Sequence, residues 1–516
     1  MASGSPSAPA PAADAGLDRE LLLVAAVVVV GAVMTILDTT VVNVAIRTLA
    51  EKFDSPLSTI QWVATGYTLA LATVIPLTGW AAERFGTKRL YMTSIALFLV
   101  GSMASGLAWS AESLIAFRVL QGLGGGMIMP AGMTILTRAA GPQRVGRVMA
   151  IMGVPMMLGP ICGPILGGWL VDDFSWRWIF FINVPVGIAA LSLSSRILPR
   201  DVAQKGHRLD WTGLALLSPG LALLIYGLAN SSSAGGFGHA KVLVPMAIGI
   251  VALIAFVFHA RRDADEALID LRLFANRTFA AAAGTMILVI IAVFGGMLLL
   301  PLYLQQVRGE SAMNAGLLLA PQGIGAMLAM PIGGKLADTT GIGRIVPPGL
   351  VLVGLTFLGL TQLEADTSYW LFGIDLFFMG IGMGLTMMPT FSGAMQTLRQ
   401  IQVPKASTTL NINQQVGASI GTAVLSVILA HQLTTKLTEG ATASGGSGGS
   451  GGIGGAIPQE LLGKAAEAYG ATFWWALGLV AVAFVVAVTQ LPKEKPAPPA
   501  DGEESDAAAA AHAMMA

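Results

Sequence analysis

The chain has 516 residues, of which 54% are hydrophobic and only 11% charged, and its 29 basic and 29 acidic side chains cancel. A soluble protein this long needs far more charge to cover its surface, so a soluble globular fold is excluded. Zero net charge gives nucleic acid no footing, and the single cysteine, Cys162, excludes internal disulfides and cysteine metal sites.

Apolar runs of about 20 residues recur along the chain, each long enough to cross a bilayer as a helix. Fourteen spans are predicted, near 21–46, 58–82, 90–109, 113–137, 147–171, 178–197, 211–229, 242–260, 278–304, 315–336, 345–362, 369–397, 406–431 and 471–490. The expected class is an all-α integral membrane protein. Glycine and proline interrupt many runs, which membrane helices tolerate because neighbours re-satisfy the backbone.

The first run contains "MTILDTTVVNVAI", Met34 to Ile46, with Asp38 in an almost wholly apolar setting. A carboxylate in lipid is costly, and intramembrane acids are functional by default. Such a group can hold a proton in one state of a cycle and release it in another, and when ionised it can attract a cationic substrate, so one site would serve proton and cargo in turn. The competing reading is a structural Asp bonded to Thr39, Asn43 or a neighbouring helix. Seventeen residues beyond Leu21 is about 26 Å of helix, which puts Asp38 toward the outer side. In the fourth run, Arg118 is the one basic residue inside a span. It should pair with an acid or an amide, with Asp38 and Gln121 as candidates, or else snorkel to the surface.

The fifth run holds "GPICGPILGG", with Gly159, Gly163 and Gly167 four apart and Gly168 beside them. That spacing lets two helix backbones pack closely. Pro160 and Pro164 remove amide donors and bend the helix. The twelfth run carries a second acid, Asp375, one or two turns inside the outer surface, read as either a transport residue or an outer-rim residue. The thirteenth carries the amides of "NINQQVGASIG", which could line a wet path or bond across helices.

Two loops repeat each other. "GWAAERFGTKR" (Gly79, Glu83, Arg84, Gly86, Arg89) matches "GKLADTTGIGR" (Gly334, Asp338, Gly341, Arg344) in its glycines, its acid and its final arginine. Each follows the second span of a six-span block, as expected of parallel repeats in a secondary transporter. Glu83 and Asp338 could meet arginines or helix N-termini across the seam between halves and act as a lock. The blander reading is a basic loop that only sets topology.

The expected organisation is a tail (1–20), a six-helix bundle (21–197), two inserted helices with linkers (198–277), a second six-helix bundle (278–490) and a tail (491–516). Both tails read as disordered and cytoplasmic, with no cleaved signal peptide. Residues 432–470 read as a long external loop around "GGSGGSGGIGG", a flexible linker, natural or introduced. Of the 29 Lys and Arg residues, 21 fall on the side of the tails and seven on the other, with Arg118 within a span. The positive-inside rule then puts both termini in the cytoplasm. No phosphate-binding loop, metal-ligand spacing or nucleophile–base set is present, so neither an enzyme nor a cofactor is expected.

The ordered motifs resemble the fourteen-helix drug:proton antiporter branch of the major facilitator superfamily. "LDTTVVNVAI", "GWAAERFGTKR", "RVLQGLGGG", "GPICGPILGG", "WRWIFFINVPVG" and "IDLRLFANRTF" carry the resemblance over nearly the whole chain. Two positions depart from the branch: Arg47 stands where proline is usual, and Glu83 where Asp is usual. The resemblance implies two six-helix bundles plus two extra helices, a bacterial inner-membrane location, and proton-driven export of amphipathic, cationic drugs or biocides. It also implies that the helix-4 arginine handles protons and that helix 5 lies on the moving seam, so that its glycine packing surface is expected to be the moving surface as well. Within transport, the alternatives are a dedicated exporter of one metabolite, lipid or antibiotic, and a nutrient-importing symporter. The implied partners are small amphipathic substrates, protons and the bilayer. Some members in two-membrane bacteria use a periplasmic adaptor, which nothing in this sequence indicates.

Overall fold

The computed structural model describes residues 18–141, 144–199, 208–233, 236–262, 266–443 and 459–494. The predicted tails over 1–17 and 495–516, and the Gly/Ser-rich stretch 444–458, lie outside the described residues. Among the described residues every regular element is helical. The helices are α1 (Arg19–Lys52), α2 (Leu57–Val74), α3 (Leu77–Phe85), α4 (Thr87–Gly106), α5 (Ala111–Ala140), α6 (Val145–Asp173), α7 (Trp178–Phe181) and α8 (Asn183–Ile197). They continue with α9 (Trp211–Ser233), α10 (Ala240–Arg262), α11 (Arg277–Gln306), α12 (Ala312–Thr340), α13 (Ile342–Leu360), α14 (Tyr369–Gln396), α15 (Val403–Ala443) and α16 (Leu462–Gln490).

A helix or helix pair occupies each of the fourteen predicted intervals. Among the described residues eleven helices are long and apolar enough to cross a membrane, or twelve if α2 and α3 count as one bent span. That span bends by 56° at Ile75–Pro76. Pro76 has no N–H to give the carbonyl four residues back, so the helix breaks there.

The two repeated loops fold alike. Gly86 caps α3 and opens α4 at φ 86°, ψ 145°; Gly341 does the same between α12 and α13 at φ 87°, ψ 145°. Side chains rarely adopt this backbone conformation, so glycine is required at both turns. The repeat runs deeper into the helices. Gly122 of α5 lies against the α2 backbone at Tyr67, and Gly380 of α14 lies against the α12 backbone at Gln322. Gly124 meets the α4 backbone at Phe98, and Gly382 meets the α13 backbone at Gly349. In each half, a glycine-lined helix therefore lets two neighbours approach at backbone distance.

The end of the molecule carrying most of the basic loops is tied together. Lys88 Nζ donates to the Ser195 and Leu198 carbonyls at 2.8 and 2.6 Å, placing a cation at the C-terminus of α8. Arg144 donates to Asp18, the N-cap of α1, at 3.0 Å. Gly343 N–H donates to the Pro492 carbonyl at 2.9 Å.

The predicted external loop 432–470 is corrected by the structure, which continues α15 to Ala443 and starts α16 at Leu462. Leu433 and Leu437, one turn apart, are buried in the same cluster as Ala465, Ala466 and Tyr469 of α16. Lys436 adds ion pairs with Glu439 and Glu467 at 3.7 and 3.6 Å. Apolar spacing therefore carries the helices past the membrane-length run. At 41 residues α15 is about 61 Å long, about twice the thickness of a hydrocarbon core.

Candidate functional site

Asp38 sits on α1, facing α5 and α8 rather than lipid, and is 1% exposed. Arg118 Nη1 donates to Asp38 Oδ2 at 2.5 Å and to Gln121 Oε1 at 2.8 Å. Gln121 Nε2 donates to Asp38 Oδ1 at 2.8 Å, and Asn183 Nδ2 donates to the same oxygen at 3.0 Å. Arg118 and Gln121 are one turn apart on α5, so both reach one carboxylate. Arg118 Nε donates to the Val63 carbonyl at 3.2 Å, and its guanidinium lies 4.1 Å from the Tyr67 ring centroid. Asn183 Nδ2 also donates to Ser102 Oγ at 3.1 Å, and Ser102 Oγ donates to the Phe180 carbonyl at 2.9 Å.

The cluster draws on α1, α2, α4, α5 and α8, and all five polar side chains are buried. A buried ion pair persists only when further hydrogen bonds satisfy both ions, and here both Asp38 oxygens are filled. Arg118 does not snorkel. Thr39 turns back on its own helix, donating to the Ile36 carbonyl at 2.7 Å, while the Asn43 side chain lies outside the described residues. Sequence reasoning missed Asn183 and Ser102. Asn183 lay in plain view inside "WRWIFFINVPVG", where an amide at the start of a span was the available signal.

Asp375 stands apart from this cluster. It lies on α14 against Gly359 of α13, where an added Cβ would fall 2.8 Å from its Oδ1. Its Oδ2 is buried with no hydrogen-bond partner among the described residues. The amides of α15 make helix contacts: Asn413 donates to the Ala283 carbonyl of α11 at 2.9 Å, and Asn411 to Ser407 of its own helix at 2.8 Å.

The second repeated loop crosses between the halves. Asp338 of α12 accepts the N–H groups of Gly146 and Arg147 at 2.8 and 3.0 Å and the Gln396 amide at 2.9 Å. Gly146 and Arg147 lie in the first turn of α6, where amides lack helical partners and the dipole favours a negative charge. Arg147 Nε lies a further 4.0 Å from Asp338 Oδ2. In the first loop, Gly79 packs on Lys405 and Thr408 at the start of α15, and Glu83 is buried. Arg84, Arg89 and Arg344 are exposed.

The glycine face of α6 requires a correction. Gly159, Gly163 and Gly167 pack on Ile36, Thr40 and Val41 of α1, inside one half. The packing surface of that motif is therefore not the surface between halves. A different stripe of α6, Gly146, Ala150 and Gly153, meets Gly334 and Met330 of α12. Nothing would contact a Cβ on Gly168, and the Pro164 side chain lies outside the described residues. Among the described residues no three His, Cys, Asp or Glu side chains gather as a metal site.

The sequence profile described as Major Facilitator Superfamily matches residues 28–422. The chain is 44% identical over 495 residues to the "Multidrug resistance protein B homolog" of Mycobacterium tuberculosis, covering 93% of this chain and 91% of that one. It is 32% identical over 397 residues to the "Multidrug export protein EmrB" of Escherichia coli, covering 76% and 77%. Among solved structures, the human organic anion transporter MFSD10 aligns with a TM-score of 0.60 at 14% identity, over 91% of this chain and all of that one. The proton:xylose symporter XylE aligns at 0.55 and 12% identity, over 90% and 95%. At those identities the structural likeness speaks for the fold alone. The profile match and the long sequence alignments speak for descent, and the chain belongs to the major facilitator superfamily.

Proposed function

We propose that the chain is a proton-coupled antiporter that exports amphipathic, cationic drugs or biocides by alternating access. The observation that carries this reading is the buried Asp38–Arg118 pair with its ring of amides. A proton arriving at Asp38 cancels the charge that Arg118 neutralises and breaks the strongest tie between α1 and α5. The two helices then gain freedom to tilt, and release of the proton restores the tie. Each proton moving inward supplies about 2.3 kcal/mol per 100 mV of membrane potential. The printed names of the long-aligned relatives, a multidrug resistance protein homologue and a multidrug export protein, support the export direction and the breadth of cargo.

In this reading α1–α8 and α11–α16 form two six-helix bundles with α9 and α10 inserted between them. The basic end faces the cytoplasm of a bacterium, and both termini lie there. Asp338 on the first turn of α6 holds the cytoplasmic side shut. Transport of this kind needs no covalent step and no cofactor. The test is reconstitution in liposomes with an imposed pH gradient and a panel of cationic dyes and neutral controls. The expected result is gradient-driven dye efflux that Asp38→Asn abolishes while the protein still inserts and folds. Full gradient-driven efflux by Asp38→Asn rejects the assignment, and transport of a single cargo only would favour a dedicated exporter.

A further inference from the structure

The inserted helices straddle the junction between the halves. On one side of α9, Tyr226 stacks on Trp62 of α2 with centroids 5.7 Å apart. Leu217 and Leu221 of α9 share a buried cluster with Ile75, the residue at which the α2–α3 span bends, and with Ile412 of α15. Further along α9, Leu224 and Leu228 bury themselves with Ala423 of α15. Ala72 and Ile75, Leu221 and Ile225, and Ile412 and Gln415 thus meet around one narrow crevice contributed by α2, α9 and α15. Elsewhere along the junction, α6 packs directly on α12, Gly146 lying against Gly334 and Gly153 against Met330.

The two inserted helices form one unit. Asp210 caps α9 by accepting from Gly213 N–H at 2.6 Å, and it pairs with His259 near the end of α10 at 2.8 Å. Gly249 of α10 lies against the α9 backbone at Gly220 and Leu224. The linker that follows runs into the second half. Ala267, Leu268 and Ile269 are buried in the cluster beneath α9, between Ile75 of the first half and Ile412 of the second, and Leu273 is buried one turn later. Asn276 then caps α11 by accepting from Thr278 and Phe279, while its amide donates to Thr397 at 3.1 Å. Toward α2, as toward α15, α9 itself makes side-chain packing contacts; what distinguishes the second half is the linker, whose Asn276 caps α11 and bonds Thr397.

Resting on the alternating-access reading above, we propose that α9 and α10 are a strap that travels with the second half and slides along α2. The strap would keep the α2–α15 junction sealed from lipid as the halves rock. Its seat on Ile75 would hold the bent α2–α3 span in the form seen here. Packed interfaces switch between discrete arrangements rather than stretching, so in this proposal the α15 face of α9 keeps its register while the α2 face takes a second one.

Two cysteine pairs test this in a Cys162→Ser chain reconstituted in liposomes. Ala72→Cys with Ile225→Cys joins α2 to α9; Leu224→Cys with Ala423→Cys joins α9 to α15. Oxidation of the first pair should stop dye transport, with recovery on reduction, while oxidation of the second leaves it running. Survival of both, loss of both, or the reverse pattern overturns the proposal. Spin labels at the same positions give a readout that needs no transport. The α9–α15 distance should hold across pH and added dye, while the α2–α9 distance takes two values. A fixed α2–α9 distance with a moving α9–α15 distance overturns the strap while leaving alternating access standing, whereas no movement at either overturns both.

Discussion

Asp338 Oδ1 accepts the N–H of Gly146 at 2.8 Å, joining the end of α12 to the first turn of α6. The two residues belong to different halves of the chain, and the bond uses amides that an α-helix leaves without partners. Removing the carboxylate by Asp338→Ala strands two backbone donors and the Gln396 amide. Losing such a cap costs about 0.5–2 kcal/mol, and stranding buried donors adds about 1–3 kcal/mol. The expected outcome is a shift of about tenfold or more toward a form open at the basic end. Distances between spin labels on α6 and α12 at that end would show it. An unchanged distance distribution would count against the lock.

The Asp38–Arg118 pair separates stability from function. Arg118→Ala leaves a buried carboxylate with amides only, and Asp38→Ala leaves a buried guanidinium. Each should lower stability by about 3–5 kcal/mol, since breaking one partner of a buried pair strands the other. The double variant Asp38→Asn with Arg118→Gln should recover most of that loss, because no charge is left unpaired. It should still fail to couple efflux to a pH gradient. Thermal unfolding in detergent and dye efflux on the same samples check both halves of the statement.

Gly86 and Gly341 offer a test of the repeat. An alanine at either position is forced to φ near 86°, a strain of about 1–3 kcal/mol. At Gly341 the added Cβ also meets the Glu494 backbone at 2.9 Å. Both variants should melt at lower temperature than the parent. Gly284→Ala in α11, where a Cβ would meet nothing within 4 Å, should melt at the same or a higher temperature.

Much of this could be read from the amino acids alone. Helix positions followed from apolar runs, because a bilayer imposes one length on every span. The pairing of Arg118 with Asp38 and Gln121 was legible because lone charges in an apolar setting must find each other. The reach of Asp338 to a helix N-terminus was legible as a type of contact, though not its target, Gly146. What the sequence hid was direction around a helix axis. Gly159, Gly163 and Gly167 advertise close packing but not the identity of the neighbour, which is α1. The same uncertainty left Asp375 with two readings, a transport residue or an outer-rim residue, and gave no hint that it faces α13. The extent of α15 was hidden because polar residues such as Thr434, Thr435 and Thr438 mask the Leu433–Leu437 stripe.

Asp18 gives a pH dependence outside the membrane. The hydrogen bond from Arg144, with the Leu21 N–H as a second donor, holds its carboxyl below the ordinary value of 3.8. A lowered folded-state value means the interaction stabilises fully above 3.8 and is lost as pH falls through the lower value. The first turn of α1 should therefore loosen only in strong acid. Because Asp18 is fully exposed, the effect is local. The protection of the Leu21 amide, measured against the intrinsic exchange rate at each pH, should fall in the parent as the pH drops through the lowered value. Asp18→Asn should leave that protection independent of pH, since asparagine does not titrate.

Arg118 and Gln121 of α5 and Asn183 of α8 occupy both oxygens of the buried Asp38 carboxylate. Under the proposed mechanism, a cargo molecule lying between the halves would therefore not touch it in the conformation seen here. Hydronium and cargo would then communicate through helix posture instead of competing for the same atoms. A pump wired this way has no need to recognise any particular molecular outline in order to be driven, which would let structurally unrelated poisons share one engine.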